Sequence, residues 1–196
     1  MEIKLKGVTK KYGDCVVFSQ FEQVIKKEKT TCIMGMSGSG KTTLLRIMLG
    51  LESVDEGEIE GLEGLKKGVI FQENRLCENL TVAANVKMSS PHPIKENQIL
   101  EEMQKVGLAS DSLRQPVREL SGGQKRRVAI LRALFSNYDI LFMDEPFKGL
   151  DTKTKKQVMV YVKKKTQGKT VILVTHDEKE CRTMGDEIVV LKSLRK

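Results

Sequence analysis

The sequence lacks any uninterrupted apolar stretch near the ~18 residues a membrane-spanning helix requires, which argues against insertion into a bilayer. Its start also lacks the apolar core of a secretory signal, because charged and apolar side chains alternate from Met1 to Lys11. The expectation is a chain that is neither inserted nor secreted. The four cysteines, Cys15, Cys32, Cys77 and Cys181, form no CxxC pair, so the expectation is reduced, buried thiols of an intracellular protein rather than a metal or redox site. No internal repeat, low-complexity tract, long linker or sustained heptad pattern is present. Of two histidines, His92 lies between prolines and suggests no chemistry.

What is present is a chain of 196 residues, 39% apolar and 31% charged, which excludes disorder by composition. A chain this long hides roughly 70% of its unfolded surface and so holds a real core. The net charge of +8 points to an anionic partner: nucleic acid, a membrane surface or a nucleotide. The charge is uneven. Lys153, Lys155, Lys156, Lys163, Lys164, Lys165 and Lys169 fall in a segment without an acid, which reads as a solvated helix face or as a binding patch.

Short runs rich in β-branched residues predict strands at 3–8, 16–18, 30–34, 69–72, 140–144, 171–175 and 188–191. Apolar spacings of three and four predict helices at 42–51, 99–107 and 122–136, the last opened by a Ser121/Gln124 capping box. Strand and helix alternate most clearly after Ser121, which implies an α/β protein with a largely parallel sheet. The early strands, with Gly13-Asp14 between them, suggest a small antiparallel element. Prolines at 91, 93 and 116 bracket a helical insertion.

Gly35-Met36-Ser37-Gly38-Ser39-Gly40-Lys41-Thr42 fits GxxxxGK[ST] between a predicted strand and a predicted helix. Glycines let successive N–H groups turn inward toward a polyphosphate, and the helix N-terminus adds positive charge. Lys41 is then placed for the terminal phosphates and the Thr42 hydroxyl for Mg2+. Ile140–Asp144 reads as a buried strand ending in an acid suited to the metal's water shell. Glu145 follows on the opposite side of the strand end, placed to act on an attacking water. His176 ends the strand at 171–175, where ligands collect in an open parallel sheet, and could donate to a γ-phosphate.

Together these residues resemble the ATP-binding cassette ATPases. Leu120-Ser121-Gly122-Gly123-Gln124 matches that family's signature, Gln72 its Q-loop, Gly149-Leu150-Asp151 its D-loop and His176 its switch histidine. Tyr12 resembles its adenine-stacking aromatic residue. The resemblance implies a RecA-like P-loop NTPase core with a small antiparallel β element and a helical subdomain. It is read as one cassette over 1–196: 1–86 for the β element and first part of the core, 87–118 for the helical subdomain and 119–196 for the signature helix and remainder. It also implies ATP and Mg2+ as cofactors, with Glu145, His176, Gln72 and Lys41 catalytic. Tyr12, Gly35, Met36, Ser37, Gly38, Ser39, Gly40, Lys41, Thr42, Thr43, Ser121, Gly122, Gly123, Gln124 and Asp151 would contact nucleotide, and Thr42, Gln72 and Asp144 the metal.

The mechanism so implied is head-to-tail closure of two cassettes, a second copy of this chain being expected, over two ATP molecules. Closure would depend on the γ-phosphate and relax after hydrolysis. The chain would sit peripherally on the cytoplasmic face of the cell membrane against transmembrane permease subunits, with an extracytoplasmic substrate-binding protein as a further partner and no nucleic acid. The wording around Phe71–Leu76 and Asp144–Asp151 is similar to bacterial importers of nitrate, sulfonate or taurine. The departures are a short chain, from which no C-terminal regulatory domain is expected, a compact spacing from Lys41 to Gln72, and Lys148-Gly149 where Ser-Ala is commoner. The alternative reading is a soluble family member acting on nucleic acid or ribosomes, which the lysine-rich segment would suit.

Overall fold

The computed structural model describes residues 2–192. In chain order the elements are β1 (Ile3–Tyr12), β2 (Cys15–Ile25), β3 (Thr30–Gly35), α1 (Lys41–Leu49), β4 (Glu56–Glu60), β5 (Lys67–Ile70), α2 (Val82–Lys87), α3 (Glu96–Lys105), α4 (Gly122–Leu134), β6 (Ile140–Asp144), α5 (Thr152–Lys165), β7 (Thr170–Thr175), α6 (Glu178–Met184) and β8 (Glu187–Leu191), with short 3-10 turns at Ser110–Arg114 and Val117–Glu119. No helix among these residues is long and apolar enough to cross a membrane.

A parallel sheet in the order β5-β6-β7-β3-β8 forms the centre. Its inner strands are apolar on both faces because both faces are covered. Leu141, Met143, Val171, Leu173 and Cys32 face one hydrophobic cluster, shared with α2 to α6. Ile140, Phe142, Ile172, Val174 and Ile33 face the other, closed by α1 and the antiparallel sheet. Each fully buried side chain of this size contributes about 1.5–3 kcal/mol.

The antiparallel sheet has the order β2-β1-β4. Gly13-Asp14 makes the expected turn, since Tyr12 pairs with Cys15 across it. Strand β4 departs from expectation, because Glu56-Gly57-Glu58-Ile59-Glu60 carries an acid at every second position and only one apolar side chain. It exists because the open edge of β1 supplies its hydrogen bonds and Lys6 reaches Glu58 and Glu60 at 3.4 and 2.5 Å. The expected helices at 42–51, 99–107 and 122–136 correspond to α1, α3 and α4, each ending short of its predicted limit. Gly50, with a φ of 76°, caps α1 in the left-handed conformation that stops a helix. The capping box at Ser121 is present: the Gln124 N–H donates to the Ser121 hydroxyl at 3.3 Å and the Ser121 N–H to Gln124 Oε1 at 2.8 Å.

Two cysteines depart from the expectation of reduced thiols. Cys32 on β3 and Cys181 on α6 form a disulfide, with their Cα atoms 5.5 Å apart and both side chains fully buried. They stand 149 positions apart in sequence, so no local spacing announces the pair. Cys15 and Cys77 are free thiols, and Cys77 is exposed rather than buried. Within the lysine-rich helix α5, Val158, Met159, Tyr161 and Val162 are buried while Lys153, Lys156, Lys163 and Lys164 face solvent.

Candidate active site

Strand β3 delivers the chain to a loop at its C-terminal end, and α1 starts at Lys41. Gly40 makes this possible. Its φ is 91°, and a Cβ there would lie 2.6 Å from Val17 Cγ1 and 2.8 Å from Phe18 Cζ. The loop opens onto a cleft of about 540 Å³ lined by Met36, Ser37, Gly38, Gly40, Lys41, Thr42, Thr43, Gln72, Glu145, Lys148 and His176. Gly35 and Ser39 do not line it; the Ser39 hydroxyl is buried behind the loop, without a hydrogen-bond partner among the described residues.

Lys41 is only 7% exposed, and its ammonium donates to the carbonyls of Gly35 and Met36 at 2.8 Å each. Burial lowers its pKa, opposed by the charges of Glu145 and Asp144. The Thr42 hydroxyl donates at 3.1 Å to Oδ2 of Asp144, which is buried and not among the residues lining the cleft. Burial pushes the Asp144 carboxyl above its ordinary value, with the Thr42 hydrogen bond working against the shift.

The relation between Asp144 and Glu145 differs from simple strand alternation. Strand β6 ends at Asp144, and Glu145 adopts a left-handed backbone with φ of 44°. That turn, rather than the pleat, carries its carboxylate into the cleft. Glu145 Oε1 lies 2.8 Å from His176 Nδ1, and Glu145 Oε2 lies 3.1 Å from the Lys148 ammonium, though not aligned as a hydrogen bond. Burial works to raise the Glu145 pKa, but His176 and Lys148 prevail and hold it below the ordinary carboxylate value. The turn bearing His176 is itself braced: Thr175 donates to the buried Glu180 at 2.6 Å and accepts from the Asp177 N–H at 3.1 Å.

The remaining predicted residues lie outside the cleft. Tyr12 is 46% exposed, its hydroxyl bonded to Glu52. Ser121, Gly122, Gly123 and Gln124 form the exposed or half-buried start of α4. Asp151 N-caps α5, its Oδ1 accepting from the N–H groups of Lys153 and Thr154 at 3.0 Å each. Two residues of the site go beyond the sequence reading. Lys148, which marks a departure in the D-loop, pairs with Glu145; its i, i+3 spacing is the available signal. Arg126, to which the sequence gives no role, is 3% exposed and donates to the backbone carbonyls of Gln72 and Glu145.

A parallel sheet that presents a phosphate loop after β3, adjoining acids at the end of β6 and a histidine after β7 defines a P-loop nucleotide-binding domain. The model of the ABC transporter family matches residues 18–148, and the chain belongs to that family. It is 35% identical over 206 residues to the spermidine/putrescine import ATP-binding protein PotA of Pasteurella multocida (strain Pm70), covering 97% of this chain and 55% of that protein. It is 36% identical over 195 residues to the aliphatic sulfonates import ATP-binding protein SsuB 1 of Rhodococcus jostii (strain RHA1), covering 96% and 78%. The chain thus spans about half the length of the PotA relatives it matches. Among solved structures, the dimeric ATP-binding cassette MJ0796 in a post-hydrolysis state with ADP and Pi superposes with a TM-score of 0.82 at 32% identity, over 99% of both chains. The resemblance to importers therefore agrees with the relatives' names.

Proposed function

We propose that the chain is the ATP-hydrolysing motor subunit of a membrane importer. The observation that carries this reading is the pairing of Glu145 with His176 at 2.8 Å beside Lys41 and Thr42, because it puts a base and its orienting group at a phosphate-binding loop. ATP would lie with its phosphates on the loop from Gly35 to Thr43 and its base on Tyr12. Glu145, held ionised by His176 and Lys148, would accept a proton from the attacking water. Lys41 would leave the loop carbonyls for the terminal phosphates.

The oxygens of Thr42 and Asp144 suit a hard cation, and the buried Asp144 carboxylate is the type of ligand Mg2+ stabilises in its charged form. Thr42, Asp144 and the Gln72 side chain would hold Mg2+, which when bound supplies charge neutralisation on the phosphates. Ser121 to Gln124 and Asp151, outside this chain's own cleft, would meet nucleotide bound by a second cassette, a second copy of this chain. The dimeric solved relative supports that arrangement. The segment around 87–118 would face transmembrane permease subunits at the cytoplasmic face of the membrane, with a substrate-binding protein outside. We take 1–86, 87–118 and 119–196 as the corresponding parts of one cassette.

Two measurements test this reading: magnesium-dependent ATP hydrolysis by the purified chain, and identification of what co-purifies with it in mild detergent. Hydrolysis together with a multi-span membrane protein in near-equal amount is the expected result. Ribosomal proteins or nuclease-sensitive material, with no membrane partner, would overturn the transport assignment in favour of the soluble alternative.

A further inference from the structure

Arg126 lies in α4, two residues beyond Gln124 of the signature, and is 3% exposed. Its guanidinium donates to carbonyls on two segments that approach α4 from the sheet. Nη1 reaches Phe71 O at 2.5 Å, Gln72 O at 3.2 Å and Asn74 Oδ1 at 3.4 Å. Nη2 reaches Asp144 O at 2.9 Å and Glu145 O at 2.6 Å, and Nε reaches Pro146 O at 2.8 Å. Burial lowers the guanidinium pKa to about 10 against the pull of Asp144 and Glu145, so the charge is held here at a cost.

The carbonyls it binds come in flanking pairs. Phe71 O and Gln72 O belong to the peptide planes on either side of the Gln72 Cα. Asp144 O and Glu145 O belong to the planes on either side of the Glu145 Cα. Fixing both planes around a Cα fixes its backbone dihedrals, because the peptide unit itself is rigid. At Glu145 those dihedrals include a φ of 44°, a strained conformation for a residue other than glycine that persists only where surroundings enforce it. A second arginine strengthens one side only: Arg132 donates to Arg75 O at 2.7 Å and Asn74 O at 3.2 Å.

We infer that Arg126 is a positioning residue that sets the backbone of Glu145 and Gln72 together and ties both to the helix carrying Ser121–Gln124. A displacement of α4 is thereby felt at once by the carboxylate and the glutamine, and neither turns without the other. This rests on the roles proposed above for Glu145 and Gln72.

The test compares Arg126→Gln and Arg126→Lys with wild type and Glu145→Gln in ATP hydrolysis, nucleotide binding and hydrogen exchange. Lysine keeps the charge but, as a single-point donor, cannot span both carbonyl pairs. Both variants are expected to turn over at least ~10-fold more slowly, toward the ~10²-fold loss that a 1 Å misplacement costs. KM and nucleotide affinity should stay within about threefold of wild type. Amide exchange should rise at 71–75 and 144–148 and stay unchanged in the β1–β2 hairpin. In an Arg126→Gln/Glu145→Gln double variant the two effects should not multiply, since one acts through the other. Turnover within twofold of wild type would overturn the inference, as would multiplicative effects or faster exchange across the whole chain. If wild type hydrolyses no ATP, or Glu145→Gln turns over normally, the underlying assignment fails instead.

Discussion

His176 Nδ1 and Glu145 Oε1 stand 2.8 Å apart although they follow different strands, β7 and β6. The two strands are adjacent in the parallel sheet, with Asp144 paired to Val174, so their C-terminal ends deliver both side chains to one point. Removing the carboxylate there would remove the proposed base while leaving the phosphate loop intact. Glu145→Gln should slow turnover by about 10²–10⁴-fold with ATP binding retained. Single-turnover hydrolysis alongside a nucleotide titration decides it, and turnover near wild type would remove Glu145 from that role.

Lys41 holds its ammonium against the carbonyls of Gly35 and Met36, within the loop it would serve. Lys41→Ala should weaken ATP binding with little change in fold, because the loop curvature is set by glycine conformations and not by this side chain. Calorimetric titration would show equal affinity in the two proteins if the loop did not bind phosphate.

Tyr12, at the end of β1 with its hydroxyl on Glu52, offers a half-exposed ring near Thr43 of the nucleotide cleft. Its replacement by alanine should cost roughly 1–3 kcal/mol of nucleotide affinity if the ring stacks on the base. Phenylalanine should restore most of that. Failure of phenylalanine to rescue would assign the effect to the hydroxyl and against stacking.

The Cys32–Cys181 disulfide closes a loop across a separation of 149 residues, for which chain entropy allows stabilisation of up to about 5 kcal/mol. Reductant should lower the midpoint of thermal unfolding. Cys32→Ser/Cys181→Ser should reproduce that lower midpoint and respond no further to reductant. Superimposable unfolding curves with and without reductant would contradict the bond's contribution.

Glu102 joins α3 to α5, accepting from Lys105 at 2.8 Å and from the Tyr161 hydroxyl, and pairing as an ion with Lys165 at 3.0 Å. Burial works to raise its pKa, but these three partners outweigh it and depress the folded value. A depressed carboxyl adds stability at pH above its unfolded value of ~4.3 and loses it as pH falls through the folded value. Glu102→Gln should therefore be less stable at pH 7 by about 1–3 kcal/mol, as expected for a buried network losing a charged partner. The difference should close in acid. Denaturant titrations giving the same difference at pH 7 and pH 3 would show that the charge is not its source.

Much of this is legible in the sequence where the signal is local. The phosphate loop is contiguous, so Gly35 to Thr42 can be read directly, as can the largely apolar strands that bring Asp144 and His176 to the same end of the sheet. The residues that escape such a reading are those whose role depends on distant chain. Strand β4 alternates acids with Gly57 and Ile59 and becomes a strand only by pairing with β1. Arg126 resembles any basic helix residue until its carbonyl partners, 18–55 positions away, are known. The disulfide is hidden for the same reason. Strand alternation separates Glu145 from Asp144, but a left-handed turn does the work.

Strand β3, which supports the phosphate loop, has β7 and β8 as its two sheet neighbours. Both belong to the last part of the described chain, whereas the β1–β2 hairpin pairs with residues immediately beside it. During synthesis the hairpin can therefore form early, but β3 must wait with both edges unpaired until β7 and β8 have left the ribosome. At translation speeds of ~5–20 residues per second, that wait lasts many seconds. The nucleotide pocket is thus among the last features of the cassette to be completed, and a chain still lacking those strands cannot bind ATP as the finished one would.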